Sequence, residues 1–158
     1  MTTSRPSGQG PYLSAAFCCE KVLVGQDGVK SAIRIIDRVT RTVMAPAPPS
    51  EMEPFDHEFT IFVRFKSGRA RGSQTLEIQP IKPSAETLPP VTQSVLFEGE
   101  EDRGVDSIGQ IRMTFDQTGI YWFVVRLDNT EITRIPFRVI YRPEIRQLMP
   151  GSDVPPQA

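Results

Sequence analysis

Two adjacent cysteines and a single histidine are the residues of this chain best suited to nucleophilic chemistry. Cys18 and Cys19 could supply a thiolate, and His57, which lies between Asp56 and Glu58, could supply the base. Such catalysis requires the base within hydrogen-bonding reach of the thiol, which could happen here only if the first and third strands end together. A lone histidine at the start of a strand is more often solvent-facing. We therefore expect no enzyme activity and no catalytic residue.

The cysteine pair also bears on redox chemistry and on metal binding. Neighbouring residues of a strand point to opposite faces, so Cys18 and Cys19 cannot form a disulfide without distorting the backbone. A structural zinc site needs four ligands, and only His57 could join the two thiols. We expect one thiol to be buried and the other to face away, with neither a metal nor another cofactor. A vicinal redox pair remains the alternative.

A short acidic segment raises the question of a calcium site. Its members are Glu98, Glu100, Glu101, Asp102 and Asp106. Calcium prefers several carboxylate oxygens, and sandwich domains that dock on membranes with calcium place aspartates on two or three neighbouring loops. Here the acids are mostly glutamates on one loop that also contains Arg103, so we interpret the segment as a solvated acidic loop. The alternative function is a calcium- or anion-dependent lipid-binding sandwich.

A row of arginines and several misplaced apolar residues point to a binding surface. Strand alternation turns both groups outward on the predicted sheets. The predicted partner-binding residues are Phe62, Trp122, Val124, Arg126, Arg134 and Arg138. Exposed apolar patches mark interaction surfaces. As alternatives, outward arginines form cross-strand ion pairs and protect sheet edges, and proline-containing loops or the C-terminal segment could cover the apolar residues, with Ile36 and Ile140 among them.

Short strands must position these residues, and the clearest pair forms a hairpin. Asp128 and Asn129, which tolerate tight turns, separate two segments whose apolar residues alternate with period two. The inward side chains are predicted to be Tyr121, Phe123, Val125, Leu127, Ile135, Phe137, Val139 and Tyr141. This hairpin is the predicted centre of a β-sandwich.

Other alternating segments supply the remaining strands. We predict these strands at 12–24, 30–41, 57–66, 74–82, 91–98 and 105–115. Within 30–41, Ile33, Ile35 and Val39 are expected to point inward, and Asp37 to lie inward near an arginine. The proline-rich loop 44–54 is expected to cross between sheets, and Pro143 to end the last strand before a helical turn at 144–149. The fold class is therefore an all-β antiparallel sandwich of about seven to eight strands, immunoglobulin-like or C2-like.

Length and composition describe an ordinary globular chain. The protein has 158 residues, 39% of them apolar and 23% charged, and a formal net charge of −1. This size suits one domain, which we place at 12–142, between a disordered segment at 1–11 and a tail at 143–158. The near-neutral charge argues against nucleic-acid binding, and no apolar run approaches the length of a membrane span. Because the first ten residues lack an apolar segment, we expect a cytoplasmic protein.

Two sets of short motifs resemble known families. Asp116, Gly119 and Tyr121 resemble the corner of immunoglobulin-like domains, in which a tyrosine hydroxyl bonds back to the backbone. The spacing here is one residue longer, and the cysteine pair and tryptophan of antibody domains do not occur at the expected places. This resemblance implies a sandwich without implying an antibody-type domain.

The second resemblance involves the start of the chain. Segment 17–22, the Asp27-Gly28 turn and segment 31–38 look like the opening of a bacterial family of small β-sandwich proteins of unknown function. The later Phe-rich strand and the Gly-x-Tyr hairpin fit the same outline, so the resemblance covers residues 12–142. It implies a fold and a bacterial or phage origin, and no chemistry. Together these observations predict a non-enzymatic binding module whose partner is another protein or a second copy of itself.

Overall fold

The computed structural model describes residues 9–147, which form nine strands and contain no helix. The strands are β1 (Tyr12–Val24), β2 (Lys30–Ile36), β3 (Arg38–Ala45), β4 (Phe55–Lys66), β5 (Arg71–Ile81), β6 (Val91–Glu98), β7 (Gly104–Phe115), β8 (Gly119–Leu127) and β9 (Thr130–Ile145). The prediction of an all-β protein is confirmed.

The strands form two sheets. The four-stranded sheet has the order β2-β1-β4-β7, and the five-stranded sheet has the order β3-β9-β8-β5-β6. All neighbouring strands are antiparallel except β3 and β9, which are parallel. The loop between β3 and β4 crosses from one sheet to the other, as its prolines predicted. The fold is sandwich-like, and we call the side of each sheet that points away from the core its outer face.

Aromatic side chains from both sheets meet in the core. The rings of Phe59 on β4 and Phe137 on β9 stack with their centroids 5.2 Å apart, and Phe115 on β7 lies 5.7 Å from Phe137. Tyr121 and Phe123 on β8 are fully buried beside them. The inward residues predicted for the β8–β9 hairpin up to Val139 are all buried, because alternate side chains of a strand share one face.

The predicted strand at 30–41 is divided in the structure. The chain leaves the four-stranded sheet after Ile36 and enters the five-stranded sheet at Arg38, with Asp37 between them. The expected inward positions of Ile35 and Asp37 are wrong, since both are exposed, whereas Ile36 packs against the core. Arg34 has a φ of 51°, a left-handed conformation that side chains rarely adopt.

The turn between β8 and β9 has the geometry that its residues predicted. Asp128 and Asn129 both have positive φ, 44° and 63°, as a two-residue hairpin turn requires. The Asp128 carboxylate accepts a hydrogen bond from the Thr75 amide at 2.8 Å, which attaches the turn to β5. This hairpin holds both the predicted aromatic core and most of the predicted binding residues.

The ends of the domain differ from the predicted boundaries. β9 continues through Pro143 to Ile145, and no helical turn follows within the described residues. Pro143 is tolerated because no strand needs its missing amide. The amides of Arg138 and Arg146, at even positions, donate to the Asp37 and Ala45 carbonyls on the β3 side, and β8 accompanies β9 only as far as Val139. At the other end the amide of Arg69 donates to the Gln9 carbonyl at 3.1 Å, so the predicted disordered segment is ordered from residue 9. Residues 1–8 and 148–158 lie outside the described part.

Candidate functional site

Both cysteines are buried and unpaired. Cys18 and Cys19 are 1% and 0% exposed. As expected, Cys18 packs in the core and Cys19 faces away from it, but Cys19 is buried as well. The Cys19 thiol donates a hydrogen bond to the Lys21 carbonyl at 3.6 Å. Burial, with a smaller contribution from the neighbouring Cys19, raises the pKa of Cys18 to about 12. A thiol with a raised pKa and no solvent access is a poor nucleophile.

His57 is not placed to activate either thiol. In the β1–β4 register, Cys19 lies opposite Thr60 and Cys18 opposite Ile61. His57 therefore lies three residues further along β4, about 10 Å at the rise of a strand. Its ring stacks on Phe59 with centroids 5.9 Å apart, and burial lowers its pKa. The expectation that His57 faces solvent is only partly met, and the structure does not bring the thiol and the imidazole together.

Three of the five acidic side chains of this segment pair with nearby cations. Arg103 pairs with Glu98 at 3.1 Å and with Glu100 at 3.0 Å. Asp106, whose side chain is 5% exposed, lies 2.8 Å from Lys30 Nζ and 3.4 Å from Arg64 Nε. Within residues 9–147, no group of three or more histidine, cysteine or acidic side chains is arranged to hold a metal ion. This loop is therefore built on internal ion pairs.

Five of the six predicted partner-binding residues share one surface, the outer face of the five-stranded sheet. Trp122 and Val124 alternate with the core-facing residues of β8, and Arg126, Arg134 and Arg138 point the same way from β8 and β9. Trp122 is the exposed aromatic residue of the group, at 36%. Its register partner on β9 is Pro136, so a tryptophan and a proline lie side by side.

Phe62 does not belong to this surface. It lies on β4 of the four-stranded sheet, and it is only 6% exposed because Phe17, its register partner on β1, stacks on it at 5.2 Å. The prediction of a single exposed patch that includes Phe62 is therefore wrong. Alternation gave the correct side of the strand for Phe62 but could not show that a neighbouring ring covers it.

Val124 points outward but is fully buried. Its register partner on β5 is Gln79, and Arg126 Nη1 contacts both Gln79 and Glu77 at 2.8 Å. The Arg126 guanidinium thus bridges two β5 side chains, Glu77 and Gln79. The prediction that Val124 is exposed is wrong, and Arg126 is held by an ion pair instead of being free. Arg134 pairs with Glu131 at 2.5 Å.

Arg138 is the predicted arginine that lines an open hollow. The arginine hollow, as we call it, has a volume of about 170 Å³ and is formed by Asp37, Arg38, Ile120, Pro136 and Arg138. Arg38 and Arg138 lie opposite each other in the parallel β3–β9 pairing. Sequence reasoning placed both arginines outward but missed their juxtaposition, because β3 was not separated from β2.

A larger cleft of about 860 Å³ opens on the other side of Arg138. Its walls are the 50–52 part of the β3–β4 loop, the corner at 116–119 and the 138–143 part of β9. The Tyr141 hydroxyl fixes one wall by donating to the Pro49 carbonyl at 2.6 Å. The hydrogen bond from Lys82 holds the pKa of Asp116 below its usual range. Sequence reasoning missed this cleft, and the only signal for it was the corner motif.

Comparison with models of protein families identifies the family of this chain. The model of DUF6941, a family of unknown function, matches residues 14–140. The chain belongs to this family. Membership in DUF6941 confirms the resemblance to an uncharacterised family, and its description assigns no activity to any residue. A bacterial or phage origin remains a prediction.

Other comparisons add little about chemistry. An immunoglobulin-like protein, PA1606, from Pseudomonas aeruginosa is similar in structure, with 10% sequence identity and a TM-score of 0.39; the match covers 84% of this chain and 98% of that protein's chain. No curated protein matches the chain. Between residues 9 and 147 there is no helix that could cross a membrane.

Proposed function

We propose that this protein is a non-enzymatic interaction module that binds a protein partner through the outer face of its five-stranded sheet. The observation that carries the proposal is the 36% exposure of Trp122 on that face. Trp122 lies beside Pro136 and on the same face as the exposed Arg134 and Arg138. Tryptophan and arginine are the residues most enriched in binding hot spots.

The state of the reactive side chains supports a role without catalysis. Both thiols are buried, and the imidazole of His57 is stacked on Phe59 away from them. A nucleophile and a base must lie within hydrogen-bonding reach to act together. The two unpaired cysteines also favour a reducing compartment, so we propose that the protein works in the cytoplasm.

The lipid-binding alternative has weaker support. Calcium-dependent docking would require carboxylates free to coordinate the ion. Glu98 and Glu100 pair with Arg103, and Asp106 pairs with Lys30. The acidic loop therefore gives little support to calcium-dependent lipid binding, and a protein partner is the function we propose.

The test is retention of a partner by the immobilised protein and by its Trp122→Gln variant. The partner is identified by mass spectrometry from a lysate of the native host, and binding is then measured with the purified partner. Self-association is measured separately by analytical ultracentrifugation. We expect Trp122→Gln to weaken binding by at least about tenfold, as is typical of a hot-spot residue, while its unfolding midpoint stays close to that of the wild type.

Ile35→Gln is the matched control. Ile35 is 65% exposed, and it lies on β2 of the other sheet. This variant is expected to bind like the wild type. A partner, or a second copy, that binds Trp122→Gln as tightly as the wild type would contradict the proposal. Phe62 is not a useful test position, since its burial means that a polar substitution would perturb the fold.

A further inference from the structure

Two arginines on adjacent strands face each other at the edge of the proposed binding surface. Arg38 of β3 and Arg138 of β9 are register partners, and the Arg138 amide donates to the Asp37 carbonyl at 3.0 Å. Both side chains are exposed on the outer face. Like charges directly opposite each other destabilise a sheet. This pair therefore has a cost for the isolated protein.

The nearby acidic groups offset only part of this charge. Asp37 Oδ1 lies 3.2 Å from Arg38 Nε, and both side chains are mostly exposed. Among residues 9–147, Arg138 forms no ion pair. One positive charge beside the arginine hollow thus lacks a counter-charge in this part of the chain.

The rest of the hollow is apolar. Ile120 and Pro136 complete its lining, and Trp122 is the register partner of Pro136. The volume of about 170 Å³ could hold a carboxylate group and a few carbon atoms. A ligand that complements this surface combines one negative charge with an adjacent apolar group.

We propose that the arginine hollow binds a carboxylate side chain of the protein partner, next to an apolar side chain that packs on Trp122. This inference rests on the proposed function and specifies the partner as an acidic-apolar peptide segment. Guanidinium groups match the planar geometry of a carboxylate and bind it with two parallel hydrogen bonds. Asp37 and the apolar lining favour a singly charged carboxylate over a phosphate, because the Asp37 carboxylate repels a dianion more strongly.

The probe is a capped peptide of alternating glutamate and leucine, titrated against the full chain. Trp122 is the sole tryptophan, so its fluorescence reports binding at the hollow directly. We expect the peptide to shift the Trp122 emission, and a peptide with glutamine in place of glutamate to have no effect. The affinity is expected to fall at least about tenfold in both Arg38→Gln and Arg138→Gln, since a charge-assisted bidentate contact is lost.

Two further variants sharpen the test. Arg142→Gln is the matched control, because Arg142 lies on the same strand and is exposed four residues away, outside the hollow; its binding should match the wild type. Asp37→Asn should bind the peptide more tightly, since it removes a competing carboxylate. Arg138→Gln should also unfold at an equal or higher temperature, because it removes the repulsion with Arg38.

Three results would overturn the inference. The wild type could fail to bind the peptide, Arg142→Gln could lose as much affinity as Arg138→Gln, or inorganic phosphate could displace the peptide at matched ionic strength. The wild type could fail to bind the peptide while Trp122→Gln still weakens binding of the partner. The proposed carboxylate specificity would then be wrong, and the proposed function would stand. If Trp122→Gln and Arg138→Gln both bind the partner as tightly as the wild type, the proposed function and the carboxylate specificity are both wrong.

Discussion

The Tyr121 hydroxyl closes the corner that begins at Asp116. Its oxygen accepts hydrogen bonds from the amides of Asp116 and Gln117, each at 3.2 Å, and donates to the Asp116 carboxylate at 3.2 Å. The resemblance to an immunoglobulin-like corner implied this bond from tyrosine to backbone, and the structure confirms it. The corner fixes the start of β8, which carries Trp122.

Removing this hydroxyl should destabilise the fold. Tyr121→Phe leaves two backbone amides without their partner, and we expect a loss of about 1–3 kcal/mol in the free energy of unfolding. Urea denaturation measures the loss. Tyr141→Phe is the control: that hydroxyl makes one bond, to the Pro49 carbonyl, at an exposed position, so its loss should be smaller. Equal effects of the two variants would show that the corner has no special role.

Gly119 is the second position on which the corner depends. Its φ is +120°, and an added Cβ would lie 3.1 Å from Pro83 Cβ. We expect Gly119→Ala to cost about 1–3 kcal/mol, because the backbone is strained for a side chain and Pro83 must move. Gly109→Ala, where the nearest atom is 3.8 Å away, serves as the control in the same denaturation experiment. A Gly119→Ala variant as stable as Gly109→Ala would contradict this account of the corner.

The alternation of apolar and polar residues predicts which face of a strand a side chain occupies, but not how exposed that side chain is. It identified the side of the strand for Trp122, Phe62 and Arg138, and turn chemistry identified Asp128 and Asn129. Exposure was not predictable, because it depends on neighbours from distant strands such as Phe17 above Phe62. The arginine hollow was not predicted, because no residue in segment 30–41 indicates that the chain passes from one sheet to the other at Asp37. The aspartate and two arginines meet only once β3 pairs with β9.

The buried thiol makes stability depend on alkaline pH. The pKa of Cys18 is about 12 in the folded protein, against 9.0 for a free thiol. Between these values the unfolded chain releases a proton that the folded chain keeps, so the free energy of unfolding should fall as pH rises from about 9 towards 12. Denaturation at several pH values should show a smaller fall for Cys18→Ala. If Cys18 were accessible and ionised normally, the free energy of unfolding would change with pH equally in the wild type and in Cys18→Ala.

The buried Asp106 carboxylate should contribute more to stability than an exposed carboxylate with a similar partner. Asp106 lies beside Lys30 and Arg64 with 5% of its side chain exposed, whereas the Asp56–Arg112 pair is mostly exposed. We expect Asp106→Asn to lose about 1–3 kcal/mol, since it leaves the two cations without their counter-charge. Asp56→Asn keeps a polar group for Thr114 and should lose less stability than Asp106→Asn, because an exposed ion pair contributes little. Thermal unfolding of both variants measures the two losses. An Asp106→Asn variant as stable as the wild type would show that the buried carboxylate contributes nothing to stability.

A partner that binds at the surface around Trp122 must shield its indole ring from solvent, and collisional quenching of Trp122 fluorescence by iodide measures that shielding. As the sole tryptophan, with 36% of its surface exposed, Trp122 gives an unambiguous signal. We predict that iodide quenches the free protein readily and that saturating amounts of the purified partner protect Trp122. Equal quenching in the free and bound states would show that the partner binds elsewhere.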